Sequence, residues 1–226
     1  MKINCLNQGS VELMNHTHNG DLLVVNAARC SFDKQHEVFN EESDVRLINY
    51  LAKHKHLLPF RHPSASLRIE APIYVLRQLG KHQVGFSWSE VSRRYIKRGP
   101  HFHYPMPEEW RLASDDIKQG SLEDSLPEAA AGKVDKEVDN FYVYADKLYA
   151  KLLDEGVCPE QARMVLPQSM LTTTVTTGTL LGWHHLFTQR TEEHTQRETQ
   201  EYAKAVGNLL SNLFPISWEA LCAAGC

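Results

Sequence analysis

The hydrophobic period of the chain changes at Pro72, and this change most constrains how the chain can fold. Between residues 64 and 70 apolar and polar side chains alternate, which predicts a β-strand with one buried side. The apolar side carries Ala65, Leu67 and Ile69. Proline is favoured at the first position of a helix, so we predict a helix from Pro72 to about Gln83. The core must therefore lie between strands and helices.

Elsewhere the spacing of apolar residues predicts more helices than strands. Helices are predicted over 42–54, 134–155, 159–166, from after Gly178 to about Arg190, and over 192–213. Inward-facing stripes are predicted for the two longest, with Val138, Phe141, Ala145, Leu148 and Leu152 in one and Tyr202, Val206, Leu209 and Leu213 in the other.

Strands and loops fill the rest of the pattern. Short strands and turns are predicted over 1–35, including the apolar run 22–25, with helical character beginning over 25–29. A threonine-rich strand is predicted over 172–177. Residues 112–133 are rich in turn formers and predict a surface excursion. We therefore predict an α+β fold, one domain over 1–226 with a central antiparallel or mixed sheet flanked by long helices.

The composition restricts the class of protein. With 42% apolar and 23% charged residues the chain is typical of a soluble globular protein, and it has no apolar run of about 18 residues that could span a bilayer. The N-terminus lacks the features of a signal peptide, so we expect a cytoplasmic protein, in the host cytoplasm if the chain comes from a virus. The five cysteines are scattered, which fits a reducing compartment. A net charge of −4 argues against general nucleic-acid binding.

Sequence motifs for several kinds of chemistry are missing. Twelve histidines are present, but no H-E-x-x-H motif or zinc-type spacing occurs, so we predict no metal site. The chain lacks a G-x-S-x-G elbow, a P-loop and a G-x-G-x-x-G fingerprint. No cysteine lies in a cationic or glycine-rich setting that would activate its thiol, so a cysteine nucleophile is not indicated.

Two neighbouring segments concentrate hydrogen-bond donors. Residues 77–83 and 89–95 combine cations, amides, a histidine and hydroxyls, a mixture suited to holding phosphate. A basic run of this kind is most often only a solvated surface. Here it follows Ser92, whose hydroxyl could cradle a phosphate while Arg94 clamps it as a fork, so we favour phosphate binding.

Two further arginines stand outside these segments. Arg163 lies in an otherwise apolar predicted helix, and Arg190 ends another. An arginine among apolar residues is seldom fully buried without an anionic partner. A structural salt bridge and a bound anionic ligand explain these two positions equally well.

The triplet Lys81-His82-Gln83, with Ser92 after it, resembles a known family signature. In the flavin-dependent thymidylate synthases, the ThyX-type family, the signature is usually Arg-His-Arg, seven residues and Ser. Ordered matches cover nearly the whole chain. They include Val11-Glu12-Leu13, residues 26–32, Pro59-Phe60-x-His62, Ala71-Pro72-Ile73, Arg77-Gln78, Glu90-x-Ser92-x-Arg94-Tyr95, 162–167, Gln189-Arg190, His194-x-Gln196 and Trp218-Glu219-Ala220.

This resemblance implies reductive methylation of dUMP to dTMP. FAD would mediate the reaction as cofactor, NADPH would reduce the flavin, and methylenetetrahydrofolate would supply the one-carbon unit. It also implies a homotetramer whose active sites take residues from several subunits. The alternative is a nucleotide- or RNA-binding protein that keeps the phosphate clamp but lacks flavin chemistry.

The resemblance also implies roles for individual residues. Arg190 corresponds to the catalytic arginine, which contacts the uracil edge and favours negative charge on the ring. The implied dUMP-binding residues are Gln78, Lys81, Glu90, Ser92, Arg93, Arg94, Arg163 and Arg190. The implied FAD-binding residues are His56, Leu58, Lys81, His82, Gln83, Glu90, Thr179 and His185.

The chain departs from the family pattern mainly on the flavin side. Lys81 and Gln83 replace two signature arginines, and the spacing to Ser92 is one residue longer than usual. Leu58, Thr179 and His185 also differ from the usual residues. Lysine cannot form a bidentate fork, and a charge-assisted hydrogen bond contributes about 1.5–3 kcal/mol, so we expect weaker FAD binding or different contacts.

Overall fold

The computed structural model describes residues 1–96, 98–114 and 120–226. The strands are β1 Lys2–Cys5, β2 Gly9–His16, β3 Ser64–Pro72, β4 Phe86–Glu90 and β5 Leu171–Thr179. The helices are α1 Gly20–Arg29, α2 Ser43–Lys53, α3 Ile73–Leu79, α4 Glu128–Asp154, α5 Pro159–Ala162, α6 Leu180–Arg190, α7 Arg197–Leu213 and α8 Pro215–Ala223. Within these ranges no helix combines the length and the apolar character needed to cross a membrane.

The strands form one antiparallel sheet in the order β1-β2-β3-β5-β4. The predicted α+β class is confirmed, and the sheet is antiparallel rather than mixed. At its centre Leu67 of β3 lies opposite Thr176 of β5. Ala65, Leu67 and Ile69 are buried on one face, as the alternation predicts. Val175 lies on the other face and stays partly exposed.

The helices enclose the main core against this sheet. Trp183 of α6 is fully buried, and its indole N–H donates to the carbonyl of Ala65 at 3.0 Å, which joins α6 to β3. A Cβ at Gly207 of α7 would lie 2.5 Å from the ring of Phe187 of α6, so glycine lets these two helices pack closely. The elements that carry the candidate site therefore rest on a tightly packed layer.

The prediction of strand for the apolar run 22–25 is wrong, because these residues lie in α1. Gly20, Val24 and Val25 are buried, at the spacing of one helix face. Asp21 in the first turn accepts hydrogen bonds from the backbone N–H groups of Ile216 and Ser217. A contact nearly two hundred residues away thus stabilises this helix, and local sequence does not reveal it.

The helix predicted after Pro72 is shorter than expected. Pro72 is the N-cap and α3 ends at Leu79, so Lys81 and His82 lie in the following turn and not on a helix face. The turn ends at Gly85, whose φ of 80° favours glycine. The chain then forms β4, which pairs with β5 and which the sequence did not predict.

The helix α4 confirms the predicted 134–155 helix but only part of its predicted inward stripe. Tyr142, Ala145 and Tyr149 are buried, whereas Phe141, predicted to face inward, is 50% exposed. The buried face covers a small second core of Phe102, Tyr142 and Met170. Phe141 and Tyr144 remain on the outer surface of this helix.

Two predicted boundaries differ from the structure. The last predicted helix, over 192–213, starts only at Arg197, and a further helix, α8, follows it. Its predicted inner residues Tyr202, Val206 and Leu209 are buried. In the predicted excursion over 112–133, residues 128–133 begin α4, and residues 115–119 lie outside the described part of the chain.

Candidate functional site

One side of α3 and the turn after it line a cleft of about 520 Å³. Tyr74, Arg77 and Gln78 lie three and four residues apart, which places them on one helix face, and Lys81 follows in the turn. Three side chains from distant parts of the chain complete the lining. They are Gln168, Arg190 and Gln196. We call this the central cleft.

Two further depressions share walls with the central cleft. A larger cleft of about 1060 Å³ has Gln78, Arg190 and Gln196 in common with it and extends along the segment 189–197. A third, of about 490 Å³, shares Arg77 and Lys81. We call these the α7 cleft and the β4 cleft. The shared residues make the three depressions neighbours around α3.

Arg190 and His82 form a hydrogen-bonded pair beside the central cleft. Arg190 Nε donates to His82 Nε2 at 3.0 Å, so this imidazole nitrogen must accept and the neutral ring carries its proton on Nδ1. Burial lowers the pKa of His82 to about 4, and the neighbouring Arg190 and His185 add to the effect. His82 therefore stays neutral near pH 7 and orients the guanidinium, whose two terminal nitrogens make no hydrogen bond within the described residues.

Gln78 and Gln196 form a second pair at the junction of the central and α7 clefts. Gln78 Nε2 donates to Gln196 Oε1 at 2.6 Å. Nearby, Arg111 and Glu198 form an ion pair at 2.8 Å whose side chains are only 15% and 13% exposed. Although burial disfavours the Glu198 carboxylate, its bond to Arg111 lowers the pKa below the usual value.

The predicted phosphate clamp forms a compact turn outside these three clefts. Arg94 donates from its backbone N–H and from Nε to Ser92 Oγ, at 3.3 Å each. Its NH1 lies 3.3 Å from Glu160, in an ion pair that is largely exposed and therefore weak. An incoming phosphate could replace this carboxylate at small cost.

Arg93 and Arg163 have different surroundings. Arg93 is buried and donates to the backbone carbonyls of Arg98 and Gly99, so its guanidinium holds the segment after the turn. Arg163 is exposed and follows α5, the helix that carries the Glu160 partner of Arg94. The Arg94 turn thus contacts α5, which Arg163 follows, and neither Arg94 nor Arg163 lines the two clefts that contain Arg190.

The residues implied for FAD binding are distributed over several places. Lys81, Gln83 and Glu90 line the β4 cleft, together with the aromatic rings of Phe86 and Trp88. Trp88 Nε1 donates to the carbonyl of His82 at 3.1 Å and so fixes the turn above this cleft.

The remaining implied FAD residues do not line the three clefts. Thr179 accepts a hydrogen bond from the N–H of Gly182 at 3.1 Å and caps α6. His185 lies close enough to His82 to lower the pKa of that histidine. His56 and Leu58 are exposed, near the end of α2.

Of the implied residues, the structure brings Gln78, Lys81 and Arg190 together in the central cleft. Tyr74 and Gln168 also line it, and neither was selected from the sequence. Tyr74 could have been found, because it lies four residues before Gln78 on a predicted helix. Gln168 has no local signal, since a backbone hydrogen bond from Tyr74 N to Gln168 O, at 3.1 Å, positions it across the fold.

Comparison with known proteins gives the family of the chain. A family model named Thy1, thymidylate synthase complementing protein, matches residues 12–216. The chain belongs to the Thy1 family. The resemblance seen in the sequence is thereby confirmed.

Two relatives of this chain carry the same name. The flavin-dependent thymidylate synthase of Thermotoga neapolitana is 35% identical over 223 residues, which cover 97% of this chain and 94% of the relative. The enzyme of the same name from Thermus thermophilus is 31% identical over 220 residues, covering 97% and 78% of the two chains.

A solved structure with a related fold contains a nucleotide. The UMP/dUMP methylase PolB from Streptomyces cacaoi, bound with 5-Br dUMP, superposes with a TM-score of 0.85 at 30% identity. The match covers 96% of this chain and 95% of PolB. The similarity thus extends over the whole fold, including the elements around the three clefts.

Proposed function

We propose that this chain is a flavin-dependent thymidylate synthase that methylates dUMP to dTMP. One observation carries the proposal: Arg190, oriented by a neutral His82, shares a cleft with Gln78 and Lys81. The family match and the names of the relatives support the same activity. The alternative, a nucleotide- or RNA-binding protein without flavin chemistry, is not favoured by these relatives.

The proposed role of Arg190 is electrostatic. Its two free guanidinium nitrogens would donate to the uracil edge and stabilise negative charge that develops on the ring, which activates C5 toward the one-carbon unit of methylenetetrahydrofolate. A neutral His82 helps, because a second cation would repel the guanidinium. This mechanism requires no thiol nucleophile, and no cysteine lines the three clefts among the described residues.

The β4 cleft offers a donor set that fits FAD. Arg77 and Lys81 supply two cations and Gln83 an amide for anionic groups, and Phe86 and Trp88 supply apolar surface for a ring. The flavin, when bound, would accept a hydride from NADPH and deliver it in the methylation. We propose that Lys81, His82 and Gln83 bind this cofactor, with Glu90, His56, Leu58, Thr179 and His185 completing its surroundings.

We propose that the phosphate of dUMP is bound by Ser92, Arg94 and Arg163. These residues lie outside the clefts that contain Gln78 and Arg190, so one chain alone leaves the nucleotide site divided. A homotetramer that brings the phosphate turn of one subunit to the Arg190 of another would complete it. Phe141 and Tyr144, which are 50% and 63% exposed on α4, offer apolar surface for such contacts.

The test is spectroscopic. Purified protein, with FAD added if necessary, should show flavin absorbance and oxidise NADPH faster when dUMP is present. A colourless protein that does not take up FAD but binds dUMP would favour the nucleotide-binding alternative. Protein that binds neither FAD nor dUMP would refute both the synthase hypothesis and the nucleotide-binding alternative. Fractionation of the source cells would test the proposed cytoplasmic location.

A further inference from the structure

Gln196 occupies a helix N-cap that its side chain does not use. Its backbone carbonyl accepts hydrogen bonds from the N–H groups of Thr199 and Gln200, but its side chain makes no capping bond to α7. Short polar residues are favoured at this position, because they can bond the free N–H groups of the first turn. A glutamine here leaves that stabilisation unused, and its amide points instead to Gln78.

The charge beside Gln196 determines which way its amide faces. Glu198, two residues further on, has a buried Oε2 without a hydrogen-bond partner among the described residues, and the Gln196 side chain contributes to lowering the pKa of this carboxyl. An ionised carboxylate can only accept. Arg111 keeps Glu198 ionised, so the NH₂ group of Gln196 belongs on the Glu198 side and its Oε1 on the Gln78 side.

This orientation dictates the amide of Gln78 in turn. Gln196 Oε1 is an acceptor, so Gln78 must present its NH₂ group to it. The hydrogen bond of 2.6 Å from Gln78 Nε2 to Gln196 Oε1 has this direction. The carbonyl Oε1 of Gln78 is then left for the cleft. Within the described residues, Gln78 Oε1 accepts no hydrogen bond from the protein.

We propose that Gln196 is a positioning residue, which turns Gln78 so that the nucleotide site presents a hydrogen-bond acceptor at this point. The inference rests on the proposed function, since it assigns a role within the dUMP site. An acceptor recognises an N–H or O–H donor. On dUMP this donor is the imide N–H of uracil or the 3′-hydroxyl of the sugar.

Two replacements of Gln196 test this role. Gln196→Ser can cap α7 and should unfold at the wild-type temperature or above it, whereas Gln196→Met cannot cap. Both should raise the KM for dUMP about three- to tenfold, the range of one hydrogen bond between uncharged groups, with kcat little changed. A lower unfolding temperature for Gln196→Ser, or an unchanged KM in both variants, would overturn the proposal. Gln35→Ser, at an exposed glutamine outside the clefts, is the control.

A double-mutant cycle separates this role from a general structural one. If Gln196 acts through Gln78, Gln196→Met should have no further effect on the KM for dUMP in a Gln78→Met background. Independent, multiplying effects would show that Gln196 does not act through Gln78.

Two analogues identify the recognised donor. Deoxycytidine monophosphate lacks the imide N–H, and 2′,3′-dideoxyuridine monophosphate lacks the 3′-hydroxyl. Wild-type protein should bind the relevant analogue more weakly than dUMP, and this difference in affinity should disappear in Gln196→Met. If Gln196→Met discriminates against both analogues as strongly as wild type does, the proposal fails. Wild type that does not bind dUMP at all would instead refute the proposed function.

Discussion

The proposed catalysis depends on two side chains that form a hydrogen-bonded pair, Arg190 and His82. The hydrogen bond of 3.0 Å uses the guanidinium Nε of Arg190. The resemblance to the family selected both residues, His82 in the signature and Arg190 in a separate match, but the sequence did not predict their contact. His82 lies in a turn that ends more than a hundred positions before Arg190, and only the packing of α6 beside that turn joins them.

Replacing Arg190 should remove the chemistry and leave the cofactor. We expect Arg190→Ala to lower the rate of dTMP formation by about 10²–10³, the effect of losing one group that stabilises developing charge, while flavin absorbance is retained. Arg46→Ala, at an exposed ion pair on α2, is the control and should keep wild-type turnover. Wild-type turnover in Arg190→Ala would refute the assigned role.

Buried histidines should make the protein sensitive to mild acid. Burial lowers the pKa of His184 to about 4, and His82 has a similar value. Because the unfolded chain takes up these protons near pH 6.5 and the folded chain does not, stability should fall as the pH decreases from about 6.5 to 4.

The comparison of two histidine variants tests this cause. Between pH 7 and pH 5 the wild-type unfolding temperature should fall by about 5 °C for each such histidine. The unfolding temperature of His184→Asn should fall less than that of wild type, because asparagine does not titrate. His54 lies at the exposed end of α2, so the unfolding temperature of His54→Asn should fall as much as that of wild type. Equal falls in both variants would contradict the explanation.

At the scale of elements, the spacing of apolar residues predicted the type of an element better than the residues at which it ends. The alternation in β3 and the helical spacing in α2 predicted the correct element types, since each buries one side against the core. The end of α3 and the strand β4 were missed because they depend on the turn at Gly85 and on pairing with β5. For the same reason Lys81 and His82 were expected on one helix and instead lie in the turn beyond it.

The turn before β4 gives a prediction for two glycines. A Cβ at Gly85 would lie 2.7 Å from Thr179 Oγ1, and its φ of 80° is unfavourable for alanine. We expect Gly85→Ala to lower the free energy of unfolding by about 1–3 kcal/mol. The matched control is Gly132→Ala in α4, where a Cβ meets no atom within 4 Å.

The control should change stability in the opposite direction. Alanine is the better helix former, so Gly132→Ala should raise the free energy of unfolding by about 0.5–1 kcal/mol. Chemical denaturation of both variants measures the two changes. A loss of stability in Gly132→Ala equal to that in Gly85→Ala would show that the turn conformation is not the cause.

At the scale of the whole molecule, the divided nucleotide site predicts that subunits complement one another. Arg190→Ala and Arg94→Ala should each have low activity at limiting dUMP, the second mainly through weak dUMP binding. When the two variants are unfolded together and reassembled, random assortment should give about a quarter of wild-type activity, because some sites receive both intact arginines.

The control for complementation is each variant reassembled alone. If all residues of a site come from one chain, the mixture will show only the average of the two low activities. Size-exclusion chromatography of the wild type, which should elute as a tetramer, checks the assembly independently.

The central claim is flavin-dependent methylation of dUMP, and mass analysis of the product tests it most directly. Purified protein is incubated with dUMP, methylenetetrahydrofolate and NADPH, with and without FAD, and the nucleotide is recovered. We predict a product heavier than dUMP by one CH₂, as replacement of a hydrogen by a methyl group requires, that depends on FAD and is nearly absent with Arg190→Ala. Unmodified dUMP recovered from flavin-loaded wild-type protein would contradict the claim.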